Sequence, residues 1–253
     1  MTSSSNKTRL AAPTLAQSHK TVINTTMAAH LMIDVPPYPS MDEGDLIELF
    51  WDNCYVASRV LAGQDIGHPV QLRVPESFIV SGTSRIHYRV MQIGLGPSVS
   101  AARQVQIKLD CPGGQPSALY GDENQSLAPL TIPEMIRRQG VNPNQIKRGV
   151  PLTIEPYLNM AIDDEITLRW GDVRMDLPRL KAGDVDQPIQ VWVPPAVILE
   201  AGEDLRLEVT YCILDRVGNN SRWAPPRTLK IGCSPWLHVP KKIPFRAAES
   251  FQR

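Results

Sequence analysis

Apolar and polar residues alternate along this chain in short runs, and most runs are closed by proline, glycine or an Asp/Asn cluster. Ile47, Leu49 and Trp51 share one face, as do Val70, Leu72 and Val74, then Ile86, Tyr88 and Val90, and last Ile107 and Leu109. A period of two marks strands with one buried face. The pattern then returns in Ile166, Leu168 and Trp170, in Ile189, Val191 and Val193, in Leu207, Val209 and Tyr211, and in Leu229 and Ile231. Leu31–Val35 and Leu152–Glu155 extend both series, and Tyr55–Leu61 offers a further strand.

The chain is written twice. Met41–Trp51 lies over Met160–Trp170 at an offset of 119, with Asp45/Asp164, Ile47/Ile166, Leu49/Leu168 and Trp51/Trp170 coinciding. Pro69–Pro75 lies over Pro188–Pro194 at the same offset, Gly82 over Gly202 at 120, and Gly96 over Gly218 and Cys111 over Cys233 at 122. Tyr38–Met41 corresponds to Tyr157–Met160, and Ile33–Asp34 to Ile154–Glu155. Copies of roughly 80–95 residues with many short antiparallel strands predict an all-β chain of two tandem β-sandwiches.

Tyr211-Cys-Ile-Leu-Asp-Arg-Val-Gly-Asn-Asn-Ser221 resembles the Y-x-x-x-D-x-x-G-N-x-S signature of bacterial immunoglobulin-like (Big-type) repeats, and Gly202–Val209 fits the strand that precedes it. Asp215 is suited to hold the turn backbone, with Gly218 and Asn219 tolerant of positive φ. The first copy keeps glycine and serine in Gln92–Ser98 but lacks the Asp and Asn. The resemblance implies immunoglobulin-like sandwiches of the kind familiar in surface adhesins and as accessory domains of secreted enzymes.

The expected organisation is a mobile segment over 1–20, sandwiches over 21–112 and 148–234, a linker or lead-in over 113–147, and a tail over 235–253. The lead-in is short helical or irregular chain, with one helix over Thr131–Gly140 stopped by its glycine. Ala12–Leu15 echoes Ala128–Leu130, so the first copy has its own version.

Composition narrows function more than fold. Twenty-three prolines in 253 residues exclude long helices and central unbroken strands. Twenty-six basic and 26 acidic residues cancel, which removes the footprint of a nucleic-acid binder. No apolar run reaches the length of a membrane span, and Pro13 breaks the only stretch resembling a secretory leader. Extracellular or cell-surface location without a cleaved leader is the expectation that accompanies the resemblance.

Cys54, Cys111, Cys212 and Cys233 form no C-x-x-C pair and are too few for a disulfide scaffold. Strand parity buries Cys111 and Cys233 and turns Cys212 outward. The five histidines neither cluster nor recur, and no catalytic or nucleotide-binding motif is present, so no enzyme, cofactor or metal site is expected. The acidic turns Asp42–Asp45 and Asp163–Glu165, with Asp184 and Asp186, are the places to test for calcium, against capping of local amides.

Ligand contact is expected from aromatics off the core. Alternation turns Trp192 outward where the first copy has Arg73, and Phe50 outward where the second has Arg169. Trp223 is read in the loop after the Gly-Asn turn, and Trp236 follows the second copy. Phe50, Trp192 and Trp223 are the candidate contacts of a recognition or adhesion module for a protein or carbohydrate partner. The alternative is a secreted effector or toxin-like factor in which the sandwiches target or assemble. Open strand edges also permit self-association.

Overall fold

A computed structural model describes residues 10–16 and 22–232 of the chain. Cys233, Trp236, His19 and the 235–253 tail lie outside the described residues, as does most of the 1–20 segment. The described residues form two units, divided after Asp110, with Val217–Asn219 counted in the first. Each is a β-sandwich of two sheets around one core.

In the first unit, β1 (Thr14–Leu15), β3 (Met32–Val35) and β6 (Val70–Arg73) make one sheet. The other runs β2 (Val22–Ile23), β9 (Arg103–Ile107), β7 (Gly82–Met91), β4 (Leu46–Trp51) and β5 (Cys54–Val60), with β8 (Ser98–Val99) also on β7. A short helix, α1 (Thr25–Ala28), follows β2. Ile33, Val35, Val70 and Leu72 from one sheet share a core with Ile47, Leu49, Trp51, Ile86, Tyr88 and Val90 from the other. The strand expected over Tyr55–Leu61 is β5, Cys54–Val60, at the edge of its sheet.

In the second unit, helices α2 (Glu134–Gln139) and α3 (Pro143–Arg148) precede a two-stranded sheet of β10 (Val150–Ile154) and β13 (Ile189–Val193). The facing sheet runs β12 (Val173–Asp176), β11 (Glu165–Trp170), β14 (Asp204–Leu214) and β15 (Asn220–Trp223), with β16 (Arg227–Ile231) also on β14. Helix α4 (Pro195–Ala201) bridges β13 and β14. The expected helix over 131–140 starts later, at Glu134, because Thr131 is held in a ladder with Thr153.

The duplication is visible in the backbone itself. Left-handed φ recurs at an offset of 119 in Ser40 and Asn159 (57° and 60°), Gly44 and Asp163 (88° and 68°), Asp52 and Gly171 (47° and 60°), and Gly67 and Asp186 (77° and 58°). Three of these pairs put a glycine opposite Asp, a residue whose short polar side chain tolerates that region. Lead-in pairings repeat as well. Leu15 pairs with Ile33 and Thr14 with Asp34, as Thr131 pairs with Thr153, while Ile23 lies parallel to Ile107 as Val141 lies parallel to Ile231. Asn24 and Asn142 each cap the helix that follows.

Strand pairing moves several sequence matches by two residues. Leu49 faces Tyr88 and Leu168 faces Tyr211, so Ile86, Tyr88 and Val90 correspond to Val209, Tyr211 and Ile213, not to Leu207, Val209 and Tyr211. Val105 and Ile107, not Ile107 and Leu109, correspond to Leu229 and Ile231. Ile33 and Val35 correspond to Leu152 and Ile154. An even slip leaves every side chain on its own face, so alternation alone cannot detect it. The offset grows from 119 to 123 where the single turn Glu76–Phe78 of the first copy is replaced by α4. The left-handed turn glycine of the first copy is Gly94, not Gly96.

A Tyr–Asp pair locks the same turn in both copies. Tyr38 Oη donates to Asp45 Oδ2 and Tyr157 Oη to Asp164 Oδ2, each at 2.9 Å. The same carboxylate oxygens accept from the backbone N–H of Asp42 (3.2 Å) and Ala161 (3.0 Å). Asp45 and Asp164 are buried, and burial reinforced by these carboxylates holds both phenols well above the ordinary tyrosine range. The acidic turns therefore serve as caps, and Asp184 Oδ2 likewise accepts from the N–H of Lys181 at 2.7 Å. Among the described residues no group of three or more His, Cys, Asp or Glu side chains is placed to hold a metal.

The signature residues Tyr211, Asp215, Asn219 and Ser221 are all buried. Ser221 Oγ accepts from Ile213 N–H at 2.8 Å, fixing the bulged pairing of β14 with β15. Gly218 takes the left-handed turn position, but Asn219 does not. Its carboxamide works within the first unit, accepting from Thr25 N–H and Oγ1 and donating to Lys108 O.

Candidate functional site

In β4 of the first unit, Ile47, Leu49 and Trp51 point into the core, which leaves Phe50 on the outer face of its sheet. There the ring stacks on His87 (centroids 5.0 Å apart, planes at 6°) and meets Tyr55 edge-on at 6.2 Å. The Arg89 guanidinium lies 5.3 Å from the Phe50 centroid while its Nε holds Glu48 Oε2 at 2.6 Å. Partial burial, helped by Arg85, lowers the His87 pKa below its ordinary 6.5. Phe50 is therefore half-buried in a polar-edged aromatic cluster.

Trp192 stands on the outer face of the β10–β13 sheet, between the buried Val191 and Val193, and is 56% exposed. Its indole N–H donates to Arg148 O at 2.9 Å. Gly149 makes this fit possible: at φ 93° a Cβ there would collide with the indole nitrogen and come within 2.7 Å of Val193 O. An exposed indole is thus held in one orientation by a backbone carbonyl.

Trp223 is the last residue of β15, not part of a loop. Two neighbours impose the extended conformation: Cys212 on β14, and the lead-in, where Trp223 N–H donates to Asp122 O at 3.0 Å and Asn124 N–H donates to Trp223 O at 2.8 Å. Its ring attracts two guanidinium groups, Arg169 at 5.0 Å and Arg174 at 5.6 Å. Cys212, Arg169 and Arg174 share this outer face, and burial raises the Cys212 thiol, the opposite of an activated nucleophile. Cys54 is exposed and Cys111 buried, with the Cys111 thiol donating to Gln115 Oε1 at 3.6 Å.

Within the second sandwich the two candidate tryptophans are not gathered into one surface. Trp192 and Trp223 occupy the outer faces of opposite sheets of the second sandwich, and Phe50 belongs to the first unit. Sequence reasoning did not single out the arginines around them. Arg169 was visible only as the counterpart of Phe50, and Arg174 lies in a strand of only four residues, Val173–Asp176.

No protein-family model matches the chain, and no curated protein matches it. Among solved structures, the chain is similar to part of a 1.5-MDa bacterial ice-binding adhesin studied for host cell surface retention, at 12% identity and a TM-score of 0.37, covering 89% of this chain and 66% of that one. It is also similar to fibronectin(III)-like modules of CbhA from Clostridium thermocellum, at 8% identity and a TM-score of 0.38, covering 86% and 92%. A tetra-tandem repeat from the extending region of a large adhesion protein gives 12% identity and a TM-score of 0.30, covering 86% and 48%.

Proposed function

We propose that the chain is a non-catalytic recognition module of adhesion type, which binds a protein or carbohydrate partner through side chains on the outer faces of its sheets. The observation that carries this reading is Trp192, more than half exposed and yet fixed by its bond to Arg148 O. A large apolar ring held rigid at the surface loses little entropy on binding and contributes its full area to a partner's ring or sugar face. Phe50 and Trp223 are further contacts, each set among groups that hold its ring in place. The sandwiches act as the stiff frame that displays them.

The test is a screen of the full chain against glycans and surface proteins, followed by Trp192→Ala, Trp223→Ala and Phe50→Ala measured on whatever binds. Loss of an aromatic anchor is expected to weaken binding by roughly tenfold or more. Binding unchanged in all three variants refutes the reading.

A further inference from the structure

We propose that the outer face of the larger sheet of the second sandwich is a binding site for a carboxylated sugar of the uronate class. The inference deepens the recognition function above and rests on it. Beside Trp223, strands β11, β12 and β14 line a groove of about 510 Å³ with Arg169, Arg174, Arg206, Asp172, Asp204 and Glu208. That volume lies in the range of small-ligand sites, which run from about 300 to 1,000 Å³.

Trp223 gives the groove its chemistry. Its ring lies 5.0 Å from the Arg169 guanidinium carbon and 5.6 Å from that of Arg174, and cation–π contact of this kind leaves guanidinium N–H groups available to an oxyanion. Neither arginine is saturated by the protein. Arg169 has only a 3.5 Å contact with Glu208, and its Nε is buried without an acceptor. Arg174 and Arg206 are exposed and have no carboxylate within ion-pair distance among the described residues. The exposed Arg174 and Arg206 guanidinium groups, without a carboxylate partner, suit a planar carboxylate taken bidentately.

The acids in the groove select what carries that carboxylate. Three guanidinium groups face three carboxylates, so the groove has no net charge to draw in a dianionic phosphate or a polysulfate. Asp172, Asp204 and Glu208 are acceptors, and a ligand must bring donors to meet them. A sugar ring with one carboxylate and several hydroxyls satisfies both sets; a simple anion satisfies one and is repelled by the other.

Calorimetric titration of the full chain with a galacturonate oligosaccharide, its methyl ester and dextran sulfate tests this. The acid is expected to bind and the neutral ester to bind at least about tenfold more weakly, as loss of a charge-assisted bidentate contact implies. Arg174→Gln and Arg206→Gln, both at exposed positions, are each expected to reproduce that loss, and Arg174→Lys to recover only part of it. Equal binding of acid and ester, or dextran sulfate binding as well as the acid, overturns the proposal. So does acid binding that survives both glutamine variants. Absence of acid binding in a chain whose other partner depends on Trp192 overturns the uronate site and leaves the recognition function standing.

Discussion

Replacing Tyr88 and Tyr211 by phenylalanine, one at a time, perturbs the same point of the two copies with opposite expected sign. Both rings are fully buried and face Leu49 and Leu168 respectively. Tyr211 Oη donates to Ala128 O at 2.8 Å, whereas Tyr88 Oη is buried with no partner. Removing the Tyr211 hydroxyl deletes one bond and strands a carbonyl, which costs about 1–2 kcal/mol. Removing the Tyr88 hydroxyl strands nothing and relieves a desolvated group, so the change lies between neutral and a gain of about 1 kcal/mol. For a domain near a hundred residues each kcal/mol moves the Tm by roughly 4–8 °C. Scanning calorimetry on the full chain reads both values, with amide exchange assigning each transition to its sandwich. A loss of more than ~1 kcal/mol in Tyr88→Phe, or no loss in Tyr211→Phe, refutes the reasoning, since the ring volumes match and only the hydroxyl accounting differs.

Four further outcomes follow from the geometry. Asp45→Asn and Asp164→Asn, which keep shape but remove the charge that accepts from Tyr38 or Tyr157, should each lower stability by about 1.5–3 kcal/mol in urea titration; equal stability of wild type and variant would show the buried pair to be idle. Gly149→Ala forces left-handed backbone on a residue with a Cβ and dislodges the Trp192 indole, so it should destabilise by about 1–2 kcal/mol or more and shift the tryptophan emission; an unchanged spectrum counts against the fixed ring. Burial raises Tyr88 from 10.0 to about 12, so the unfolded chain loses that proton first; stability is full below pH 10 and falls as pH climbs toward 12, a decline that Tyr88→Phe should lessen when Tm is followed against pH. His87 binds its proton less readily folded than unfolded, so its contribution is present above pH 6.5 and lost on acidification; an NMR titration placing its midpoint at or above 6.5 would contradict the stacked, partly buried ring.

How far the sequence reached depended on which residues carried the information. Facing of the core strands was legible, since Ile47, Leu49 and Trp51 and their counterparts bury alternately in both copies. Register was not legible, because a shift of two preserves every face; the Tyr88–Tyr211 equivalence needed the ladders themselves. Helix α3 left a signal that went unread: Asn142-Pro143-x-Gln145 is a reciprocal cap, with Asn142 Oδ1 accepting from Gln145 N–H at 3.0 Å and Gln145 Oε1 accepting from Asn142 N–H at 2.7 Å, and Gly149 ends it. Trp223 could not be placed by local pattern. Its strand follows a bulge, contains the left-handed Arg222 and is set by partners far away in sequence. The groove beside it draws on three separate strands, so no single segment announces it.

The short parallel pairing of β2 with β9 also decides how the first sandwich meets tension. Two parallel strands begin at the same end of a sheet, so pulling the chain backward from β2 and forward from β9 drags Val22–Ile23 and Gln106–Ile107 past each other. Their hydrogen bonds are then loaded together in shear rather than unzipped one after another. Under mechanical load, lifetime follows the unfolding rate and not the equilibrium stability. The parallel clasp is therefore the point at which the first sandwich resists such a pull, and weakening it should shorten that lifetime more than it lowers the melting temperature.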